Sequence, residues 1–153
     1  MVSVGVLSSI FQKGAIWVLP ATFVMFMAIG GIFGLNGFVI AGAEMWVAAS
    51  LVALGLAIAA SQTVEIIRDS LPLWVITLPV AVFGIAHGNA HGLEIPQTLQ
   101  PVSFTFGFLL GTSALHLIGV GLGVTSRKFQ KLEALLRAAG LFVSALGVGM
   151  LTR

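Results

Sequence analysis

The stretch LPLWVITLPVAVFGIAHGNAHGLE, residues 71–94, decides the fold of this chain. Up to Leu93 it carries no Lys, Arg, Asp or Glu. A hydrocarbon core of about 30 Å is crossed by about 20 apolar residues in a helix, and this run is long enough. Three further segments, 15–35, 43–60 and 101–124, are also long and apolar, the second with Glu44 at its start. A fifth, 132–151, qualifies if Arg137, about one turn in, snorkels its guanidinium to the interface. Pro72 and Pro101 fall at helix starts, where the missing N–H is harmless, while Pro20 and Pro79 lie inside and predict kinks.

The whole composition agrees. Of the 153 residues, 58% are hydrophobic and 8% charged, where soluble domains carry roughly a quarter charged residues. Such a chain has too few charges to cover a surface facing water, so lipid must cover most of it. The expected fold is therefore all-α: a single polytopic membrane bundle over 1–153, with five full spans. A partial N-terminal helix adds to them, since the apolar run 1–11 is about 16 Å long, roughly half a crossing. That run has no basic leader region and no small-x-small cleavage site, so it does not read as a signal peptide.

Net charge is +2, and the basic residues are scattered through short polar breaks, which excludes a nucleic-acid surface. Lys13, Arg68, Arg127, Lys128, Lys131 and Arg137 fall on one side of an alternating five-span arrangement; only Arg153 departs from it. The positive-inside rule places that side in the cytoplasm, so 71–93 runs outward and ends at Glu94. Trp17, Trp46 and Trp74 near helix ends read as interface anchors. Glu65, Arg68 and Asp69 read as a solvated loop. Gly84, Gly88 and Gly92, with Gly30 and Gly34 and with Gly107 and Gly111, give small-xxx-small spacings that let helices approach closely.

Chemistry concentrates at the outer end of 71–93. With about 100° of rotation per residue, His91 lies about 40° from His87, and Glu94 about 20° to the other side. Two imidazoles and a carboxylate thus share one narrow stripe, and Asn89 lies off it. The i, i+4 histidine pair is spaced to hold one metal ion, with the carboxylate as third ligand or as the group that fixes a ring tautomer. The bland alternative is that these groups bond only to each other and to carbonyls within the bundle. Ionisable groups at this depth tend to mark ion pathways, and these are two of only three histidines in the chain.

His116 lies about 22 Å along 101–124 and reads either as an inner relay station or as a neutral imidazole bonded to a carbonyl. Glu44, at a helix start near the level of Glu94, reads as part of an entrance or as an acid favoured by the helix dipole. The chain has no cysteine, which removes thiolate sites, disulfides and cysteine nucleophiles. Met25, Met27 and Met45 are ordinary apolar filler. No phosphate-binding loop, nucleotide motif or Ser-His-acid set is present.

At these residues the sequence resembles the HupE/UreJ family, nickel or cobalt permeases associated with hydrogenase and urease maturation. Its His-Gly-x-x-His-Gly-x-Glu signature stands here as His87-Gly88-Asn89-Ala90-His91-Gly92-Leu93-Glu94. The run 111–123 resembles the family's following helix, and Gly42-Ala43-Glu44 its Gly-x-Glu before an apolar helix. A second family signature, His-Pro-x-x-Gly-x-Asp-His, is missing, and Met1-Val2-Ser3-Val4-Gly5 resembles the stretch that would follow it. The expectation is an N-terminally short chain, in line with the half-length first helix.

The resemblance implies a multi-pass protein of the bacterial cytoplasmic membrane that takes up Ni²⁺ or Co²⁺ for metalloenzyme assembly. The metal is then transported cargo and not a prosthetic group, and the chain is not an enzyme. His87, His91 and Glu94 would form the outer site, with Glu44 and His116 as secondary positions on the path. Its partners would be the divalent ion and the lipid bilayer, with a homo-oligomer or accessory proteins as further candidates. Two other classes use the same residues: an intramembrane metal-dependent enzyme, and a metal-binding accessory subunit of a larger transporter.

Overall fold

The computed structural model describes residues 1–11, 15–67, 70–95 and 101–152. Among them only helices occur: α1 Val2–Ile10, α2 Ala15–Leu35, α3 Ala43–Ala59, α4 Ser61–Ile67, α5 Leu73–Leu93, α6 Pro101–Ser126 and α7 Gln130–Leu151. Four of these, α2, α5, α6 and α7, are long and apolar enough to cross a membrane. The bent pair α3 and α4, turning by 81° at their junction, makes a fifth if counted as one span. The molecule is a polytopic helical membrane protein. Lys13, Arg68, Asp69, Arg153 and most of the loop after Glu94, on which the charge reading drew, lie outside the described residues.

Span boundaries follow local chemistry. Pro72, with φ −65° and extended ψ, caps α5, so that helix begins at Leu73 and not at 71. The helix continues through Pro79, and α2 continues through Pro20. Helix α6 extends to Ser126 because the Ser126 hydroxyl donates 2.8 Å to the Gly123 carbonyl, satisfying itself inside the helix. The connection from α2 to α3 needs two left-handed residues, and glycine supplies both: Gly37 at φ 76° and Gly42 at φ 70°. Glu44 then sits in the first turn of α3.

The helices associate as close pairs: α2 with α5, α3 with α7, and α1 with α6. Each pair is made by glycine. A methyl group at Gly84 would fall 2.8 Å from the Phe23 carbonyl oxygen, and one at Gly92 would fall 3.1 Å from the Gly34 Cα. One at Gly55 would meet the Ser144 nitrogen at 2.7 Å, and one at Gly5 the Val120 nitrogen at 2.9 Å. Without a hydrophobic drive between lipid-bathed helices, such backbone approach supplies the packing that holds them together. The reading of Gly30, Gly34, Gly84, Gly88 and Gly92 holds. That of Gly107 and Gly111 does not, since a methyl group at either would meet no atom of the described residues within 4 Å. Spacing defines a small-residue face, but only a facing helix makes it a contact.

Short α1 is the most enclosed element: residues Val4 to Ile10 are all buried. Its Val4, Leu7 and Ile10 join Leu19, Phe23 and Met27 of α2 in the central cluster. Its two serines are satisfied within the helix, Ser8 by Gly5 O and Ser9 by Val6 O, each at 2.7 Å.

One expectation at the basic end needs correction. Glu65, read with Arg68 and Asp69 as a solvated loop, lies within the helix α4, Ser61–Ile67. Arg137 lines the same cavity as Glu65. Its Nε donates 3.0 Å to the Ala59 carbonyl, one of the last carbonyls of α3 and hence without an intrahelical partner of its own. Trp17, Trp46 and Trp74 are exposed near helix starts, as anchors require.

Candidate metal centre

Glycine contacts set the site before any polar residue acts. Because Gly84 and Gly88 bring α5 against α2, the Phe23 and Met27 backbones lie directly beside the turn that bears His87. Phe23 and Met27 are each 1% exposed, so this inner face is dry. The His87 ring meets Phe23 edge-on, with centroids 5.4 Å apart. His116, from α6, meets the same Phe23 ring at 5.2 Å. One phenyl group therefore touches two imidazoles from different helices.

Both imidazoles are held the same way. His87 Nδ1 lies 3.2 Å from the Phe83 carbonyl oxygen, and His116 Nδ1 lies 2.8 Å from that of Thr112, each one turn earlier in its own helix. A carbonyl can only accept, so in each neutral ring Nδ1 carries the proton and Nε2 keeps its lone pair. This is the arrangement that fixes the tautomer of metal-binding histidines. His116 is 2% exposed and its Nε2 is buried without a hydrogen-bond partner. An unmet buried polar atom costs about 1–3 kcal/mol, so it marks a position where a ligand would be favourable. Of the two readings for His116, the carbonyl bond is present at Nδ1, and Nε2 is left open.

The outer part of the stripe is wetter. His91 Nδ1 lies 3.6 Å from Glu94 Oε2, with the carboxylate largely exposed. The His91 ring also packs on Phe108 at 4.7 Å. Together with Met27, Gly31, Gly88, Phe104 and Phe108, His91 lines a small cavity between α2, α5 and α6. Glu94 and Glu44 line one open groove with Ile40, Met45, Ala90 and Leu93, which brings the two acids together at this end. His91 and Glu94 are thus neighbours, and His87 and His116 share Phe23. Among the described residues, no three His, Asp or Glu side chains are gathered closely enough to form a complete metal-binding cluster.

Two residues that the sequence reading passed over matter here. Phe23 carried no signal, being one apolar residue in an apolar helix. Asn89, set aside as off the stripe, is fully buried and fastens the α2–α3 connection to α5. Its Oδ1 accepts from the Ile40 N–H at 3.0 Å, and its Nδ2 donates to the Phe38 carbonyl at 2.7 Å. The available signal was chemical: a carboxamide in hydrocarbon must find protein partners, and its angular position points them away from the histidines.

The fold and these groups define a class: a polytopic membrane protein with imidazoles held ready inside a helical bundle. The chain belongs to the HupE/UreJ family, whose description, HupE / UreJ protein, matches residues 1–150. It is 32% identical over 152 residues to Protein HupE of Rhizobium leguminosarum bv. viciae, covering 99% of this chain and 75% of that protein. No solved structure matches the chain.

Proposed function

We propose that this chain is a permease for a divalent transition metal, Ni²⁺ or Co²⁺, in the bacterial cytoplasmic membrane, supplying metalloenzyme assembly. The observation that carries the proposal is the matched pair of imidazoles, His87 and His116, each tethered through Nδ1 to a carbonyl, which leaves Nε2 as the lone-pair nitrogen. A hydrated ion would be drawn first to the groove of Glu44 and Glu94, then to His91 and His87, losing water stepwise to nitrogen ligands. Imidazole with carboxylate, and no thiolate, suits Ni²⁺, Co²⁺, Zn²⁺ or Cu²⁺; resemblance to the family narrows this to nickel or cobalt. The open, spread-out ligand set supports transport over catalysis, since a carrier must release its ion whereas a metalloenzyme retains it.

Uptake of labelled nickel by cells producing the chain tests the proposal, beside a His87→Ala/His91→Ala variant of matched membrane abundance. The expected result is uptake above an empty-vector control and a drop on the order of 100-fold in the variant, the upper range for disturbing groups around a metal. Protons compete with the metal for imidazole, so uptake should fall as the external pH is lowered. Equal uptake by variant and parent would remove the pair from the mechanism.

A further inference from the structure

Nothing in the metal chemistry calls for Phe23, yet this ring sits in contact with both histidines that leave Nε2 open. It is 1% exposed, with Leu19 and Met27, equally buried, one turn to either side on the same face of α2. Met27 Sδ approaches the Thr112 hydroxyl at 3.9 Å, one turn before His116. A buried phenyl ring therefore lies against both imidazoles, and with the Met27 thioether it belongs to a cluster that includes Val4, Leu7 and Ile10 of α1. A partly hydrated dication cannot cross this packing as it stands, because charge in an apolar surround without ligands is strongly disfavoured. A phenyl ring offers no lone pair to replace the lost water. It does have side-chain torsions that can swing it aside.

We propose that Phe23 is the gate of this permease: its ring separates the outer station, His91 and His87, from an inner station at His116 Nε2. The ion passes only when the ring rotates away. This rests on the permease reading. With the ring in place, His87 holds the metal from the outer side while the inner lone pair stays dry; with it displaced, the two imidazoles flank one passage. Phe23 thereby sets the rate of transfer and not the affinity of entry. It also excludes ions such as Mg²⁺ that hold their water too firmly to exchange it for two neutral nitrogens.

The test is nickel flux into proteoliposomes containing the full chain, with equilibrium nickel binding to the same purified preparations. Phe23→Ala should raise the maximal rate several-fold while KM changes less than twofold, and should admit Mg²⁺ that the parent excludes. Phe23→Leu keeps an apolar side chain in the cluster, and should shift the same quantities in the same direction by less. Phe23→Trp should lower the maximal rate at least tenfold with nickel binding retained. Flux by the parent together with unchanged rates in all three variants would overturn the gate and leave the permease standing. Loss of binding and flux together in all three would also overturn it, since Phe23 would then only hold the fold. Absence of flux and of binding in the parent itself would overturn the permease reading, and the gate with it.

Discussion

The two ends of this bundle treat their polar groups in opposite ways. At the basic end, polar side chains tie one element to another. Arg127 donates to the Ser9 carbonyl at the end of α1, Arg137 to Ala59 at the end of α3, and Gln62 of α4 to Glu133 of α7. The Ser61 hydroxyl is the exception, buried without a partner. It lines a cavity of about 40 Å³ with Glu65, Glu133 and Arg137, room enough for water. Toward the other end, Asn89 is likewise bonded at both its oxygen and its nitrogen, but His87 and His116 each bond one nitrogen to the backbone, and the Nε2 of His116 is buried without a partner. Polar groups bonded across to another element hold the fold. Those with a protected, unfilled lone pair are where a ligand is expected.

Substitutions at each end sharpen that contrast. The largest effect belongs to the His87→Ala/His91→Ala variant, which should lose uptake while keeping its fold, because the two rings' Nδ1 atoms meet groups of their own stretch of chain, the Phe83 carbonyl and Glu94. Next comes Asn89→Ala, which removes both bonds to the α2–α3 connection. It should lower stability by about 2–3 kcal/mol, read as thermal unfolding in detergent. Because that connection carries the chain to Glu44, KM for nickel should rise more than the maximal rate falls. The smallest effect is Arg137→Ala, which should cost about 1 kcal/mol, since water near the membrane surface can satisfy the Ala59 carbonyl in its place. Uptake per folded molecule should not change. An Arg137 variant that folds normally but fails to transport would erase the distinction between the two ends.

How far each end was legible in the sequence follows the same division. Span positions came within two residues of the helices, because hydrocarbon thickness and hydropathy act on each segment alone. The spacing of His87, His91 and Glu94 was readable because helical periodicity is local, and His91 Nδ1 lies 3.6 Å from Glu94 Oε2. What a side chain meets on another helix was not readable. Phe23 differs in no local respect from Phe26 or Phe33, and only the packing of α2 on α5 and α6 sets it against two imidazoles. The same holds for Arg137, whose partner lies on α3, and for Gly107, whose spacing matched that of Gly84 but where a methyl group would meet no described atom within 4 Å. Helix α4 escaped notice because seven residues bearing Glu65 look polar and short, and its place depends on the bend after Ala59.

X-ray absorption at the nickel edge of the purified, nickel-loaded chain tests the central claim most directly. The account predicts nitrogen and oxygen scatterers only, with the outer-shell pattern of at least two imidazole rings, falling by one ring in His87→Ala. A sulfur scatterer from methionine, or a spectrum that His87→Ala leaves unchanged, would contradict it.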